Sequence, residues 1–239
     1  MKNFLYLITL FLLVTSCTNN ENIMQLSGEV KGLKKGTLIL QNIEDTLLVS
    51  VDSVIVDGDS RFNFSETIES PQMYYLYVRL KDGTLKDDRI PFFAEPTEIT
   101  INTTLKNFEI DAKISGSHNE KVMDEYKKLL KRYTSKNLEY IEDNFKALQA
   151  GNDSLASAIQ EKQKKIVASK YLMAVNFALK YKDLELAPYL MLSEVYDANI
   201  KYLDTVYNTL TPKIKDSKYG KSLESFIRER KKEETSLKN

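Results

Sequence analysis

The chain has 239 residues, with 34 basic and 34 acidic side chains, one His, one Cys and no Trp. One His and one Cys are too few for a zinc site, for a Cys-x-x-Cys redox centre or for catalysis by a pair of histidines. The formal net charge is zero, and the basic residues are scattered, so we expect no nucleic-acid partner. The length allows one large domain or two small ones.

The first residues have the pattern of a lipoprotein signal peptide. An apolar run from Phe4 to Val14 follows Lys2, and it is too short for a membrane-spanning helix, which needs about 20 apolar residues. Its length is typical of the apolar part of a signal peptide. The run leads into Val14-Thr15-Ser16-Cys17, which resembles the lipobox of bacterial lipoproteins. A secretory signal followed by an unrelated Cys is the alternative.

The lipobox interpretation predicts three short segments and a location. Residues 1–16 are expected to be a signal peptide, Cys17 the lipidated residue, and residues 17–24 the lipidated Cys and its tether. Several acyl chains on one Cys give stable anchoring, whereas a single chain gives marginal binding. We therefore expect a protein of the cell envelope whose membrane contact is its lipid anchor, located at the outer membrane, with the leaflet left open.

Residues 25–117 are predicted to form a β domain. Six of the eight Gly fall at or before Gly116, and short apolar runs alternate with polar residues, as in Phe62-Asn63-Phe64. A period of two with closely spaced turn signals indicates an antiparallel β-sandwich or an open barrel. The predicted strands are Gln25–Lys31, Thr37–Gln41, Leu47–Val56, Arg61–Glu66, Met73–Leu80, Ile90–Ala94, Glu98–Asn102 and Phe108–Ile114.

The dipeptide Asp57-Gly58 is typical of a hairpin turn between two of these strands. The longer segment Asp57-Gly58-Asp59 suggests calcium as an alternative. A dedicated calcium loop needs further spaced oxygen ligands and a late Glu, which are missing here. We interpret the segment as a turn and expect no metal site and no cofactor.

Residues 118–239 are predicted to be α-helical, which makes the fold class α+β with a C-terminal helical bundle. Ser117 and Glu120 have the spacing of a capping box, which marks the start of a helix. Apolar residues then recur at helical spacing. The predicted helices run through Val122–Tyr133, through Leu138–Leu148, from Asp153 to Phe177, from Pro188 to an end at Pro212, and from Tyr219 until fraying at Arg228–Lys232.

Three tyrosines in one predicted strand are the candidate binding residues. Tyr74, Tyr75 and Tyr77 crowd the strand Met73–Leu80, and a ring can stack on a sugar or a peptide. Core packing in a chain without Trp is the alternative. Because neighbouring side chains of a strand point to opposite faces, one of Tyr74 and Tyr75 is expected to be exposed.

No residue is predicted to be catalytic. His118 lies in the expected helix cap, where it has neither a visible substrate proton nor an orienting partner. Carboxylate pairs are too common in this chain for a hydrolase to be dismissed, but catalysis depends on a separation that sequence does not give. A carboxylate-based hydrolase therefore stays as the last alternative, and we expect no enzyme.

Several short segments together resemble a known family. The chain is similar to the N-terminal domain of unknown function that precedes a thioredoxin-like domain in Bacteroidota lipoproteins of the TlpA/AhpC-TSA type. The segments are Leu26–Val30, Gly36–Leu40, Asp52-Ser53, Val56–Gly58, Arg61–Phe64, Pro91–Glu95, Ile99–Ile101 and Ile114–Ser117, with Ala187–Leu190 and Ser217–Leu223 in the helical half.

The resemblance implies an accessory role without redox chemistry. The catalytic part of such proteins carries a Trp-Cys-x-x-Cys site, and this sequence has no Trp and no second Cys. We expect a non-enzymatic binding or scaffold module that works with a separate thioredoxin-like protein. Capture of a glycan or a peptide through exposed Tyr is the alternative.

Overall fold

The computed structural model describes residues 22–44, 47–86 and 88–236, and it confirms an α+β fold. Within these ranges, eight strands come first and six helices follow. The strands are β1 (Ile23–Lys31), β2 (Lys35–Glu44), β3 (Leu47–Asp57), β4 (Arg61–Thr67), β5 (Gln72–Leu80), β6 (Ile90–Ala94), β7 (Glu98–Thr104) and β8 (Lys113–Ser115). The helices are α1 (His118–Gln149), α2 (Asp153–Lys180), α3 (Leu186–Glu194), α4 (Ile200–Thr209), α5 (Pro212–Asp216) and α6 (Lys218–Ser236).

The strands form two four-stranded sheets, in the orders β4-β1-β7-β8 and β3-β2-β5-β6. The second sheet is antiparallel throughout, as predicted. The first sheet is mixed, because β1 pairs in parallel with β7, from Gln25 beside Glu98 to Lys31 beside Thr104. The chain crosses to the other sheet between these two strands, and such a long crossover is what a parallel pair requires.

The inner faces of the two sheets form the β core. The predicted alternation of apolar and polar residues along the strands places the apolar side chains on these faces. Phe62, Phe64, Ile99 and Ile101 all point inward. From the other sheet, every second residue of β5 joins them. Those side chains are Tyr74, Leu76 and Val78.

The predicted strand Phe108–Ile114 is wrong over most of its length. Residues 105–111 form turns, and only Lys113–Ser115 pairs with β7. The alternation was misleading because only Phe108 is buried, whereas Ile110 is 87% exposed. Local hydrogen bonds hold the turn, including one from the Thr103 hydroxyl to the Phe108 carbonyl at 2.6 Å.

Three helix boundaries also differ from the prediction. The first two predicted helices are one helix of 32 residues, because the residues between them include no Gly or Pro to end it. The helix from Pro188 is interrupted at residues 195–199, and Pro212 begins α5 as well as ending what precedes it. The last helix does not fray at Arg228–Lys232 but continues to Ser236.

The helices α1 and α2 form an antiparallel hairpin that has a base and an outer part. At the base, side chains such as Tyr126 and Phe177 belong to the core of the helical body. In the described part of the chain, no residue from 131 to 170 belongs to that core. The outer part instead has a small core of its own, made of Tyr140, Ala147, Ala156 and Ile159.

Candidate binding surfaces

The hairpin begins on the β domain, at the predicted cap. The Ser117 hydroxyl accepts a hydrogen bond from the backbone N–H of Glu120 at 3.0 Å. The carboxylate of Glu95, which directly follows β6, accepts bonds from the Ser117 hydroxyl at 2.8 Å and from the backbone N–H of Asn119 at 2.5 Å. A carboxylate is favourable here because the helix dipole is positive at this end.

Two buried polar side chains of the first turn tie α1 to other elements. Glu120 does not complete the capping box; its carboxylate instead accepts a hydrogen bond from the backbone N–H of Phe93 at 2.7 Å. Asn119 accepts a bond from the backbone N–H of Leu186 at 2.9 Å and donates one to Glu185 at 3.2 Å. The base of the hairpin is thereby fixed to both β6 and α3.

An aromatic cluster joins the β domain to the helices. The ring of Phe93 meets Tyr189 and Tyr219 edge-on, with centroids 5.8 and 6.1 Å away. The Tyr219 hydroxyl accepts a hydrogen bond from the backbone N–H of Met73 at 3.0 Å. Burial raises the pKa of Tyr189 to about 12 and also raises the pKa of Tyr219. Both phenols are therefore neutral at ordinary pH.

The three candidate tyrosines do not gather at the surface. Tyr74 is 3% exposed and packs in the β core beside Phe92, with ring centroids 6.2 Å apart. Tyr77 is buried beneath the guanidinium of Arg89, which lies 4.6 Å from its ring centroid. Tyr75 shares the outer face of β5 with Tyr77 and is half-buried.

The other residues that the sequence analysis discussed have simple positions. Cys17 lies outside the residues that the structure describes. His118 is exposed at the start of α1, and its backbone N–H donates to Glu95 at 3.2 Å. Within the described ranges, no group of three or more His, Cys, Asp or Glu could hold a metal ion. The helices in these ranges are all too short or too polar to cross a bilayer.

A polar cavity of about 660 Å³ lies where the ends of β2 and β5 meet the start of α6. Asn42 is 6% exposed, and its Oδ1 has no hydrogen-bond partner among the described residues. Lys218 closes one side by donating to the Ile43 carbonyl at 3.0 Å. The lining includes Asn42, Glu44, Glu69, Tyr74, Lys218 and Lys221.

The outer part of α1 carries a row of exposed apolar side chains, which we name the outer stripe. Leu138, Ile141, Phe145 and Leu148 are 65%, 46%, 60% and 50% exposed. Their helical spacing predicted the helix correctly, but such spacing normally marks a buried face. The sequence analysis therefore missed them as surface residues.

The other side of the hairpin holds a groove of about 750 Å³ between α1 and α2, which we name the seam groove. Leu129 and Leu172 are its exposed apolar side chains, at 37% and 46%. Charged residues of both signs form its rim. Those rim residues are Glu125, Lys128 and Lys180.

Among comparisons with known proteins, a family model matches the β half of the chain. No curated protein matches the chain. A solved structure named pT26-6p is 14% identical and aligns over 82% of this chain and 42% of its own length, with a TM-score of 0.23. This chain thus spans less than half of that structure. The family model described as "Domain of unknown function (DUF4369)" matches residues 24–123, which form the β domain and the start of α1.

Proposed function

We propose that the protein is a lipid-anchored scaffold of the cell envelope, without enzymatic activity, whose helical hairpin binds a protein partner. One observation carries this proposal. The hairpin reaches beyond the body of the protein with apolar side chains exposed on both sides, at the outer stripe and at the seam groove. Exposed apolar side chains in a contiguous patch mark interaction sites.

The base of the hairpin supports the same role. Glu120 and Asn119 fix α1 to the β domain and to α3 through buried hydrogen bonds. A binding element that is held rigidly loses little conformational freedom when a partner docks, and this favours affinity. The partner that we propose is a separate thioredoxin-like protein, following the resemblance of the β domain, and it would dock in the seam groove.

Partner capture from the native envelope tests this role. A tag follows Asn239, cells are crosslinked, and proteins that co-purify with the wild type are identified. We expect a thioredoxin-like protein in comparable amount, and its loss with Leu172→Glu, which places a charge in the seam groove. The matched control is Ile55→Glu, since Ile55 is an exposed apolar residue of β3 at 79%. Recovery of no protein above background with the wild type would reject the scaffold role.

The anchor is tested by replacing Cys17. We expect the wild-type chain in the membrane fraction, with an intact mass equal to residues 17–239 plus acyl groups. Cys17→Ala should leave the signal peptide attached or release the protein to the soluble fraction. An unmodified thiol at Cys17 in the purified native protein would contradict the proposed anchor.

The polar cavity favours a second candidate function, the capture of a small hydroxylated ligand. A buried amide oxygen without a partner is costly, and a ligand hydroxyl would satisfy it. Asn42 and Tyr74 both line the cavity, and the Asn42 amide oxygen, although covered, has no partner among the described residues. We expect a mono- or disaccharide panel to include one sugar that raises the melting temperature of the wild type but not of Asn42→Ala. If no sugar raised the melting temperature at concentrations up to 10 mM, capture would be rejected, because a ligand with a dissociation constant above about 10 mM gives almost no stabilisation at that concentration.

A further inference from the structure

The outer stripe has a spacing that reads the same in both directions along α1. Its four apolar residues follow one another at intervals of three, four and three. The midpoint lies between Ile141 and Phe145. Turning the helix end for end about this point places Leu138 where Leu148 was and exchanges Ile141 with Phe145. A second, reversed copy therefore presents an apolar side chain opposite each apolar side chain of the first.

This spacing is also the heptad pattern of helices that pack along a narrow seam. An interface between two identical surfaces around a two-fold axis needs a surface that is complementary to itself. The outer stripe meets this condition in the antiparallel orientation. We propose that it binds the outer stripe of a second copy across a two-fold axis, so that two hairpins form an antiparallel four-helix arrangement.

The charges beside the outer stripe fit the same arrangement. Glu142 flanks the stripe and forms an ion pair with Lys146 on the next turn, at 2.5 Å. Near the two-fold axis, this pair lies alongside the same pair of the second copy, running in the opposite direction. The flank is then neutral as a whole: the two Glu142 carboxylates, each one residue from the axis, lie next to each other, and the two Lys146 ammonium groups lie on either side of them. Asn144, on the opposite flank of the stripe, carries no charge.

The position of the outer stripe leaves room for both copies. The axis passes about 25 residues beyond the start of α1, which corresponds to about 38 Å of helix at 1.5 Å per residue. In the antiparallel orientation, the two β domains lie at opposite ends of the four helices. The seam groove, on the other side of the hairpin, is not covered, so this pairing is independent of the partner proposed above.

The first test is the mass of the full-length protein in detergent, measured by light scattering after gel filtration. We expect a dimer for the wild type and for Ile55→Glu, and a monomer for Phe145→Glu, with at least a 100-fold weaker dissociation constant. Phe145 is 60% exposed, so this change should leave the fold intact, which circular dichroism verifies. If the wild type were still a monomer at 100 µM protein, the dissociation constant of the dimer would be weaker than about 100 µM, and the proposal would be overturned.

The second test fixes the orientation and does not depend on a disruptive variant. Leu138→Cys and Leu148→Cys are prepared in full-length chains with different tags, mixed, and treated with a short bismaleimide. The antiparallel pairing predicts a covalent product between the two variants and little product of either variant alone. Leu129→Cys, on the seam groove, is the control and should give none. Crosslinking of Leu138→Cys mainly to itself would indicate a parallel pairing and overturn the proposal.

Discussion

Glu120 is a buried carboxylate that joins the two halves of the molecule. It is 2% exposed, accepts the backbone N–H of Phe93 and forms an ion pair with Lys127 at 3.1 Å. The N–H of Phe93 faces the helices at the edge of the second sheet, where water does not replace a missing acceptor. The sequence indicated Glu120 only as half of a capping box, because a bond to β6 is invisible in local spacing.

Replacement of Glu120 should therefore destabilise the protein, by an amount that depends on whether the new side chain still offers the Phe93 N–H a hydrogen-bond acceptor. Glu120→Ala leaves this donor buried without a partner, and we expect a loss of about 2–4 kcal/mol in the free energy of unfolding. Glu120→Gln keeps an acceptor oxygen and should lose clearly less. Urea unfolding at equilibrium measures both. Equal losses for the two variants would show that the acceptor is not what matters.

Gly116 sits at the turn between β8 and α1 with a positive φ of 105°, and a Cβ there would lie 1.9 Å from the carbonyl oxygen of Glu98. Gly58 has a similar φ of 99°, but nothing lies within 4 Å of the Cβ position. The two positions thus share the same backbone constraint and differ only in the contact.

Alanine substitutions at Gly58 and Gly116 separate the cost of the positive φ from the cost of the close contact. We expect Gly58→Ala to cost about 1–2 kcal/mol from the positive φ alone. Gly116→Ala should cost at least about 2 kcal/mol more, because β7 and the turn must move apart. Thermal unfolding followed by circular dichroism compares them. Similar melting temperatures for the two variants would contradict the close approach at Gly116.

At the scale of elements, the hairpin shows where sequence patterns stop being informative. Periodicity tells which residues of a helix share a face, and it predicted helices through both Val122 and Leu138. It does not tell what covers that face. The outer stripe has the pattern of a core and is exposed, whereas Asn137 and Asn144 lie near the seam between α1 and α2 with side-chain oxygens buried.

The outer part of the hairpin should open locally without unfolding the body, since its core is separate. Asn152 caps α2 by accepting the backbone N–H of Leu155 at 3.0 Å. Asn152→Ala should weaken this end by about 1 kcal/mol. The comparison is made in the monomeric Phe145→Glu protein as the parent. There, adding Asn152→Ala should make hydrogen exchange of residues 140–165 about five-fold faster than in the parent.

Ser157→Ala, in the same helix but exposed, is the control and should leave these exchange rates unchanged. The amides of the β core should exchange as in the parent with either change. If they accelerated equally, the hairpin and the body would unfold as one unit.

At the scale of the whole molecule, local patterns predict the elements, whereas contacts between distant parts of the chain could not be predicted. The α+β class and seven of the eight strand positions follow from local alternation and turns. The parallel pairing of Gln25 with Glu98 does not, because partners so distant in sequence leave no local pattern. For the same reason the sequence left two interpretations of the tyrosines of β5 open, ligand binding and core packing, and predicted only that one of Tyr74 and Tyr75 is exposed. In the structure, Met73 and Phe93 continue the helical core onto the sheet.

This junction should make the protein sensitive to alkali. An unfolded tyrosine has a pKa of about 10, whereas burial raises the pKa of Tyr189 to about 12. Between these values the unfolded state loses a proton that the folded state keeps. The free energy of unfolding should thus be unaffected by Tyr189 below pH 10 and fall as the pH rises from 10 to 12.

Urea unfolding at several pH values, with tyrosinate absorbance followed in parallel, measures this fall. Tyr189→Phe removes the group and should give a shallower decrease over the same interval. Tyr196→Phe, at a tyrosine that is 54% exposed, should keep the wild-type slope. A steeper decrease in Tyr189→Phe than in the wild type would contradict the assignment.

The place of β1 in its sheet has a mechanical consequence. β1 is hydrogen-bonded on one side to β4 and on the other to β7. If the chain ahead of Ile23 is tethered, tension on the tether runs along β1, perpendicular to its bonds with the antiparallel β4 and across its slanted bonds with the parallel β7. These bonds then carry the load together in shear, whereas a terminal strand peeled from a sheet loses them one at a time. A tether ahead of Ile23 would thus load β1 in shear, in which the hydrogen bonds on both of its edges resist the tension together.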